Sequence, residues 1–101
     1  AQTEINVRMT PKYAKAIQEL FVVSLDAICK GQTPYLEFDT LTHSVGQGVY
    51  ELKVNGKPAY RCVYIAKLED AVHVLHCFTK TTNQVDKKAM KTAKKRLKDI
   101  R

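Results

Sequence analysis

The alternation of apolar and polar positions is clearest between Gly48 and Lys80, where it predicts three β-strands in succession. Tyr50-Glu51-Leu52-Lys53-Val54 reads as the first. Asn55-Gly56 then breaks the run, and Asn-Gly between apolar segments is a strong hairpin signal. Ala59 to Leu68 reads as the second strand, with aromatic and β-branched residues concentrated in Tyr60-Arg61-Cys62-Val63-Tyr64-Ile65. Glu69-Asp70 turns the chain, and Ala71 to Thr79 returns as the third. A two-residue turn would set Leu68 opposite Ala71, Val63 opposite His76 and Arg61 opposite Phe78. Side chains alternate faces along a strand, so Arg61, His76, Phe78 and Lys80 are expected on one face at one end of the sheet, with Val74 beside His76 on that face. A register slip of one residue would separate them.

Helical periodicity flanks the strands. Ala14, Ile17, Phe21, Leu25 and Ile28 recur at helical spacing, and Leu20, Val22 and Val23 widen the predicted apolar face. Thr10-Pro11 supplies a helix start and Gly31 a stop, which predicts a helix to about Lys30 covering one side of the sheet. At the other end, Ala89, Met90, Ala93, Leu97 and Ile100 form a narrow apolar stripe. They predict a helix over roughly Val85 to Ile100, capped from Thr81-Thr82-Asn83. Before the first helix, Ile5, Val7 and Met9 alternate weakly, as a short edge strand over Glu4 to Met9 would. Gln32 to Gln47 follows neither period. Pro34, Gly46 and Gly48 mark turns there, and Tyr35, Leu36, Phe38 and Leu41 suggest a segment docked on the core with room for a short helical turn. His43 lies in this segment and is assigned no role. The order of elements predicts an α+β fold: a small antiparallel sheet packed by an N-terminal helix, with a C-terminal helix beyond.

Length and composition narrow this little. The 101 residues suit a single domain spanning 1–101, and 45% hydrophobic content is enough for a core. The sequence has no run of eighteen apolar residues and no signal-peptide pattern, so the expectation is a cytoplasmic protein without a membrane span. Cys29, Cys62 and Cys77 show no Cys-x-x-Cys spacing, and His43, His73 and His76 no ligand spacing with them. They read as small hydrophobes in a reducing compartment, with no metal and no cofactor.

Charge changes the picture more. Lys80 to Arg101 holds nine Lys/Arg and two Asp/Glu, a net of +7, whereas residues 1 to 79 carry eight of each. The whole excess sits in the last fifth of the chain. Lys87, Lys88, Lys91, Lys94, Lys95 and Lys98 occupy the positions outside the apolar stripe of the last helix. Clustered cations favour a polyanion, because each phosphate they neutralise releases counterions. The alternative is a merely solvated helix face.

Cleaving RNA without a metal requires a group that stabilises charge on phosphorus and groups that move two protons. An Arg fork binds two phosphate oxygens, Lys supplies a tunable point charge, and His titrates near neutrality. Arg61, Lys80 and His76 place these three types on one predicted face. The 2′-hydroxyl of RNA is itself the nucleophile. No Gly-rich phosphate loop, acidic metal pair or Ser/His/Asp arrangement is evident. Each residue also has an ordinary reading: Arg61 as a strand cation paired with an acid, Lys80 as the first of the basic run, His76 as a core His.

Gly48-Val49-Tyr50-Glu51-Leu52-Lys53, Tyr60-Arg61-Cys62-Val63-Tyr64, Val74-Leu75-His76-Cys77-Phe78-Thr79-Lys80 and a helix with Ala93-Lys94-Lys95-Arg96 follow one another in order. In that order and spacing the C-terminal half resembles the phage-derived, HigB-like branch of the RelE/ParE toxin superfamily. The resemblance implies a RelE-like fold and the toxin of a type II toxin–antitoxin pair. It implies a ribosome-dependent endoribonuclease, or mRNA interferase, that leaves a 2′,3′-cyclic phosphate. It also implies mRNA on the ribosome and a helix-turn-helix antitoxin as partners. The family's strand Arg maps to Arg61 and the Lys after the last strand's Phe to Lys80. Lys53 stands where the family often has Arg, and Thr81 where it tends to have a second Lys. Catalysis is thus expected from Arg61, Lys80 and His76, and RNA binding from Lys53, Lys87, Lys88, Lys91, Lys94 and Lys95. Two other functions share such folds: inhibition by protein binding, as ParE-like relatives act on DNA gyrase, and RNA or host binding without catalysis.

Overall fold

The computed structural model describes residues 4–6, 15–56, 58–68, 71–80 and 84–100. Its elements run β1 (Glu4–Asn6), α1 (Lys15–Cys29), β2 (Glu37–Thr40), β3 (Val49–Val54), β4 (Ala59–Leu68), β5 (Ala71–Lys80) and α2 (Lys87–Ile100). The strands form one sheet in the order β1-β5-β4-β3-β2. The four strands β2 to β5 pair antiparallel, each beside its neighbour in sequence, and β1 joins the far edge parallel to β5. The fold is α+β, as the pattern predicts.

Two cores occupy the two faces. On one, Phe21 and Leu25 of α1 pack against Leu52, Cys62, Tyr64, Val72, Val74 and Cys77. On the other, Ala89, Met90, Ala93 and Leu97 of α2 pack against Val45, Val49, Val63, Ile65 and Leu75. Phe21, Leu25 and Leu52 are fully buried; removing each such side chain from water contributes about 1.5–3 kcal/mol. The apolar face of α1 is narrower than its sequence suggests, because Leu20, Val22 and Val23 remain exposed. Gly31 ends α1 with φ +74°. Its N–H donates to Ile28 O (3.0 Å) and that of Gln32 to Ala27 O (2.8 Å), the double closure of a left-handed helix cap.

Three expectations need correction. Part of the unreadable segment is β2, an edge strand whose four residues are all exposed. It carries no burial alternation because it has no buried face. The expected helical turn follows it, where the Val45 N–H donates to Leu41 O at 2.9 Å. Second, α2 begins at Lys87, not Val85. Asp86 is its cap: the Ala89 N–H donates to Asp86 Oδ1 at 2.9 Å, and Val85 is left exposed. The expected turn at Glu69-Asp70, the helix start at Thr10-Pro11 and the cap at Thr81-Thr82-Asn83 lie outside the described residues.

The third correction concerns the register. Leu68↔Ala71, Val63↔His76 and Arg61↔Phe78 are partners, as expected, but the ladder between them is irregular. Val63 pairs with His76 while Tyr64 pairs with Val74, so β5 carries one extra residue, Leu75. Between Ile65↔His73 and Leu68↔Ala71 the extra residue lies on β4, and the two shifts cancel. Leu75 joins the α2 core and Val74 the α1 core. Val74 is therefore on the opposite face from the one strict alternation assigns it.

Candidate functional site

A recess of about 310 Å³ opens on the α2 side of the sheet. Its wall includes Asp39 of β2, Glu51 and Lys53 of β3, Phe78 and Lys80 of β5, and Asp86 ahead of α2. Strand register assembles it. Glu51 faces Asp39 across β2–β3, Lys53 faces Arg61 across β3–β4, and Arg61 faces Phe78 across β4–β5. Odd positions on β3 and β4 point to this side and even positions to the α1 core, as Val49, Val63 and Ile65 against Leu52, Cys62 and Tyr64 show.

Arg61 is only 7% exposed and is not among the lining residues. Its Nη1 donates to Tyr60 O at 3.0 Å, and its Nε lies 3.7 Å from Glu51 Oε1, a charge contact longer than a hydrogen bond. Lys53 forms an ion pair with Asp39 at the mouth. Glu51 feels opposed influences. Burial raises its pKa above the ordinary 4.5, while Arg61, Lys53 and Lys80 pull it down and Asp39 pushes it up. Burial outweighs the three cations, and the carboxyl holds its proton more firmly than an exposed Glu does.

His76 is held apart from the recess wall. Its ring stacks on Phe78 with centroids 5.4 Å apart. Arg96 of α2 places Nη1 2.8 Å from Leu75 O and 3.1 Å from His76 Nδ1. Burial first, and the Arg96 charge second, lower the His76 pKa, with Asp86 opposing. Lys87, Lys88, Lys91, Lys94, Lys95 and Lys98 are all exposed on α2. Cys62 and Cys77 face each other in the ladder; the hydrogen bond between them and burial raise the Cys62 thiol well above its ordinary range, so it is no nucleophile at neutral pH.

The structure thus brings Lys53 and Lys80 to one recess with Arg61 behind its wall. It places His76 one stacked ring away and leaves the α2 lysines facing solvent. Sequence reasoning gave no role to Glu51, Asp86 or Arg96. Strand parity carries a signal for Glu51, since it shares a face with Lys53 and Val49. Arg96 follows Ala93 by three residues, at the border of the apolar stripe, so it too sits where a helix meets the sheet.

The sequence matches the family described as Phage derived protein Gp49-like (DUF891) over residues 11–98. The chain belongs to this family. No curated protein and no solved structure matches it. The Gp49-like family falls within the RelE/HigB-like toxin superfamily, whose members are often endoribonucleases. Membership in the Gp49-like family is consistent with a toxin of a toxin–antitoxin pair and suggests an antitoxin as partner. Among the described residues, no helix is long and apolar enough to cross a membrane.

Proposed function

We propose that this Gp49-like protein is a toxin of the HigB-like branch that cleaves messenger RNA on the ribosome. The observation that carries the reading is the gathering of Lys53, Lys80 and Arg61 around one recess on the same side of the sheet as the lysine-covered helix α2. The α2 lysines hold ribosomal or messenger RNA through its phosphates. A phosphodiester enters the recess, and the RNA 2′-hydroxyl attacks phosphorus. Lys80 and Lys53 neutralise the developing charge at the wall. Arg61 adds a fixed positive charge from behind it, effective over a few ångströms because the intervening medium is poorly polarisable. His76, neutral and oriented by Arg96, offers its Nε2–H as a hydrogen-bond donor to the RNA at the Phe78 edge.

Purified ribosomes programmed with an end-labelled message test this. Addition of the protein is expected to give discrete fragments ending in 2′,3′-cyclic phosphate, and co-expression with a helix-turn-helix antitoxin to abolish growth inhibition. Intact message would refute it. The burial of Arg61 beside Glu51 favours a second reading, a toxin acting by protein binding. That reading is supported by intact message together with inhibited DNA gyrase supercoiling.

A further inference from the structure

We infer that Glu51 is the group that takes the proton from the attacking 2′-hydroxyl, an inference that rests on the ribonuclease reading. The placement argues for it first. Glu51 lines the recess, yet its side chain is only 12% exposed, so a substrate that fills the recess meets a carboxylate that water barely reaches. Charged side chains from the surrounding elements line the recess with it or pair with it. Asp39 stands on β2, Lys53 on β3, Arg61 on β4, Lys80 on β5 and Asp86 at the start of α2. The cations keep the ionised form available beside a phosphate, which would otherwise repel it.

The state of the Arg61 pair separates this role from a structural one. A Glu kept only as counter-ion to a buried Arg makes short, paired hydrogen bonds, and its pKa falls. Here Arg61 directs Nη1 to the Tyr60 carbonyl, its Nε stands 3.7 Å from Glu51 Oε1, and the Glu51 pKa is raised. A carboxylate whose pKa is raised is, in its ionised form, a stronger base than an exposed one. His76 is less suited to begin the reaction. Its Nδ1 accepts from Arg96, because a guanidinium only donates, so that nitrogen is already engaged.

The step balances without a co-reactant. The 2′-oxygen forms its bond to phosphorus as its proton passes to a Glu51 carboxylate oxygen. The bond from phosphorus to the 5′-oxygen breaks, and that oxygen takes a proton from the Lys80 ammonium or from water. The products are a 2′,3′-cyclic phosphate and a 5′-hydroxyl.

Glu51→Gln keeps the size of the side chain and removes the base. It is expected to slow cleavage of ribosome-bound message by about 100-fold or more, with RNA affinity unchanged or higher. The fall in wild-type rate toward acid pH is expected to vanish in E51Q. Glu51→Ala is expected to regain activity when formate is added, because the small acid fills the vacated space. A carbon-13 NMR titration of the full chain is expected to place the Glu51 carboxyl above 4.5. Wild-type cleavage matched by E51Q, or a Glu51 titration below the ordinary value, overturns this inference alone. A wild-type protein that cuts no message overturns the ribonuclease reading and this inference with it.

Discussion

Arg96 on α2 reaches His76 on β5, with Nη1 3.1 Å from the imidazole Nδ1. Because arginine carries donors only, Nδ1 accepts, the ring proton resides on Nε2, and the imidazole is neutral. The same guanidinium nitrogen also donates to Leu75 O, so one side chain ties the irregular step of β5 to the C-terminal helix.

A pH dependence follows. Burial and Arg96 lower the His76 pKa below the ordinary 6.5. The unfolded chain therefore binds a proton at this site more readily than the folded one. The stabilisation from neutral His76 is present above pH 6.5 and is lost as pH falls through the folded-state value. Thermal unfolding followed from neutral to acid pH is expected to show His76→Gln losing less stability than wild type. Arg96→Gln is expected to raise the His76 pKa in an NMR titration; an unmoved pKa would show that Arg96 exerts no field there.

Arg61→Gln removes the positive charge and keeps a long polar side chain. On the proposed function, cleavage falls by about 100-fold, while the far-ultraviolet circular dichroism spectrum stays that of wild type. Arg61→Ala also strips the nearest cation from Glu51, which then holds its proton more firmly. Unfolding free energy is expected to fall by roughly 0.5–3 kcal/mol, read from urea denaturation. Wild-type cleavage by Arg61→Gln would remove Arg61 from the mechanism.

The exposed α2 lysines make a separable prediction. Replacing Lys91, Lys94 and Lys95 by Gln alters only exposed positions, so the helix is expected to persist. Affinity for single-stranded RNA is expected to drop, and the slope of log affinity against log salt to become shallower by about 0.7 for each phosphate that is no longer neutralised. An unchanged slope in a salt titration would place RNA elsewhere.

Gly31 tests the end of α1. An added Cβ meets nothing within 4 Å, so the whole cost of Gly31→Ala is the left-handed backbone at φ +74°. The expected loss is about 1–2 kcal/mol, and Gly31→Asn is expected to cost less. Equal stability of all three proteins in urea would mean that the cap is dispensable.

Where burial follows a regular period, the sequence is legible. Leu25 on α1, Leu52 on β3 and Ala93 on α2 lie where the pattern puts them. β2 is not legible, because Glu37-Phe38-Asp39-Thr40 forms an exposed edge and is held by its partner strand rather than by a buried face. Val74 departs from strict alternation because an extra residue in a ladder depends on tertiary packing and leaves no mark in composition. At the site, strand parity and a family resemblance point to Lys53, Arg61 and Lys80. Glu51 stands out less than the cations because a Glu on a strand resembles a solvent-facing one until the burial of its side chain is known. The burial of Arg61 is hidden in the same way.

The hairpin of β4 and β5 behaves as two segments in series. From Ala59↔Lys80 to Val63↔His76 its five rungs are uninterrupted, and these are the rungs that carry the recess. Both irregular steps lie beyond them, toward the turn. Changes in length near the tip can be taken up there as slack, with the rail beneath Arg61 and Lys80 left straight. Evolution could thus restyle the outer loop for a different partner while leaving the chemical end of the hairpin in alignment.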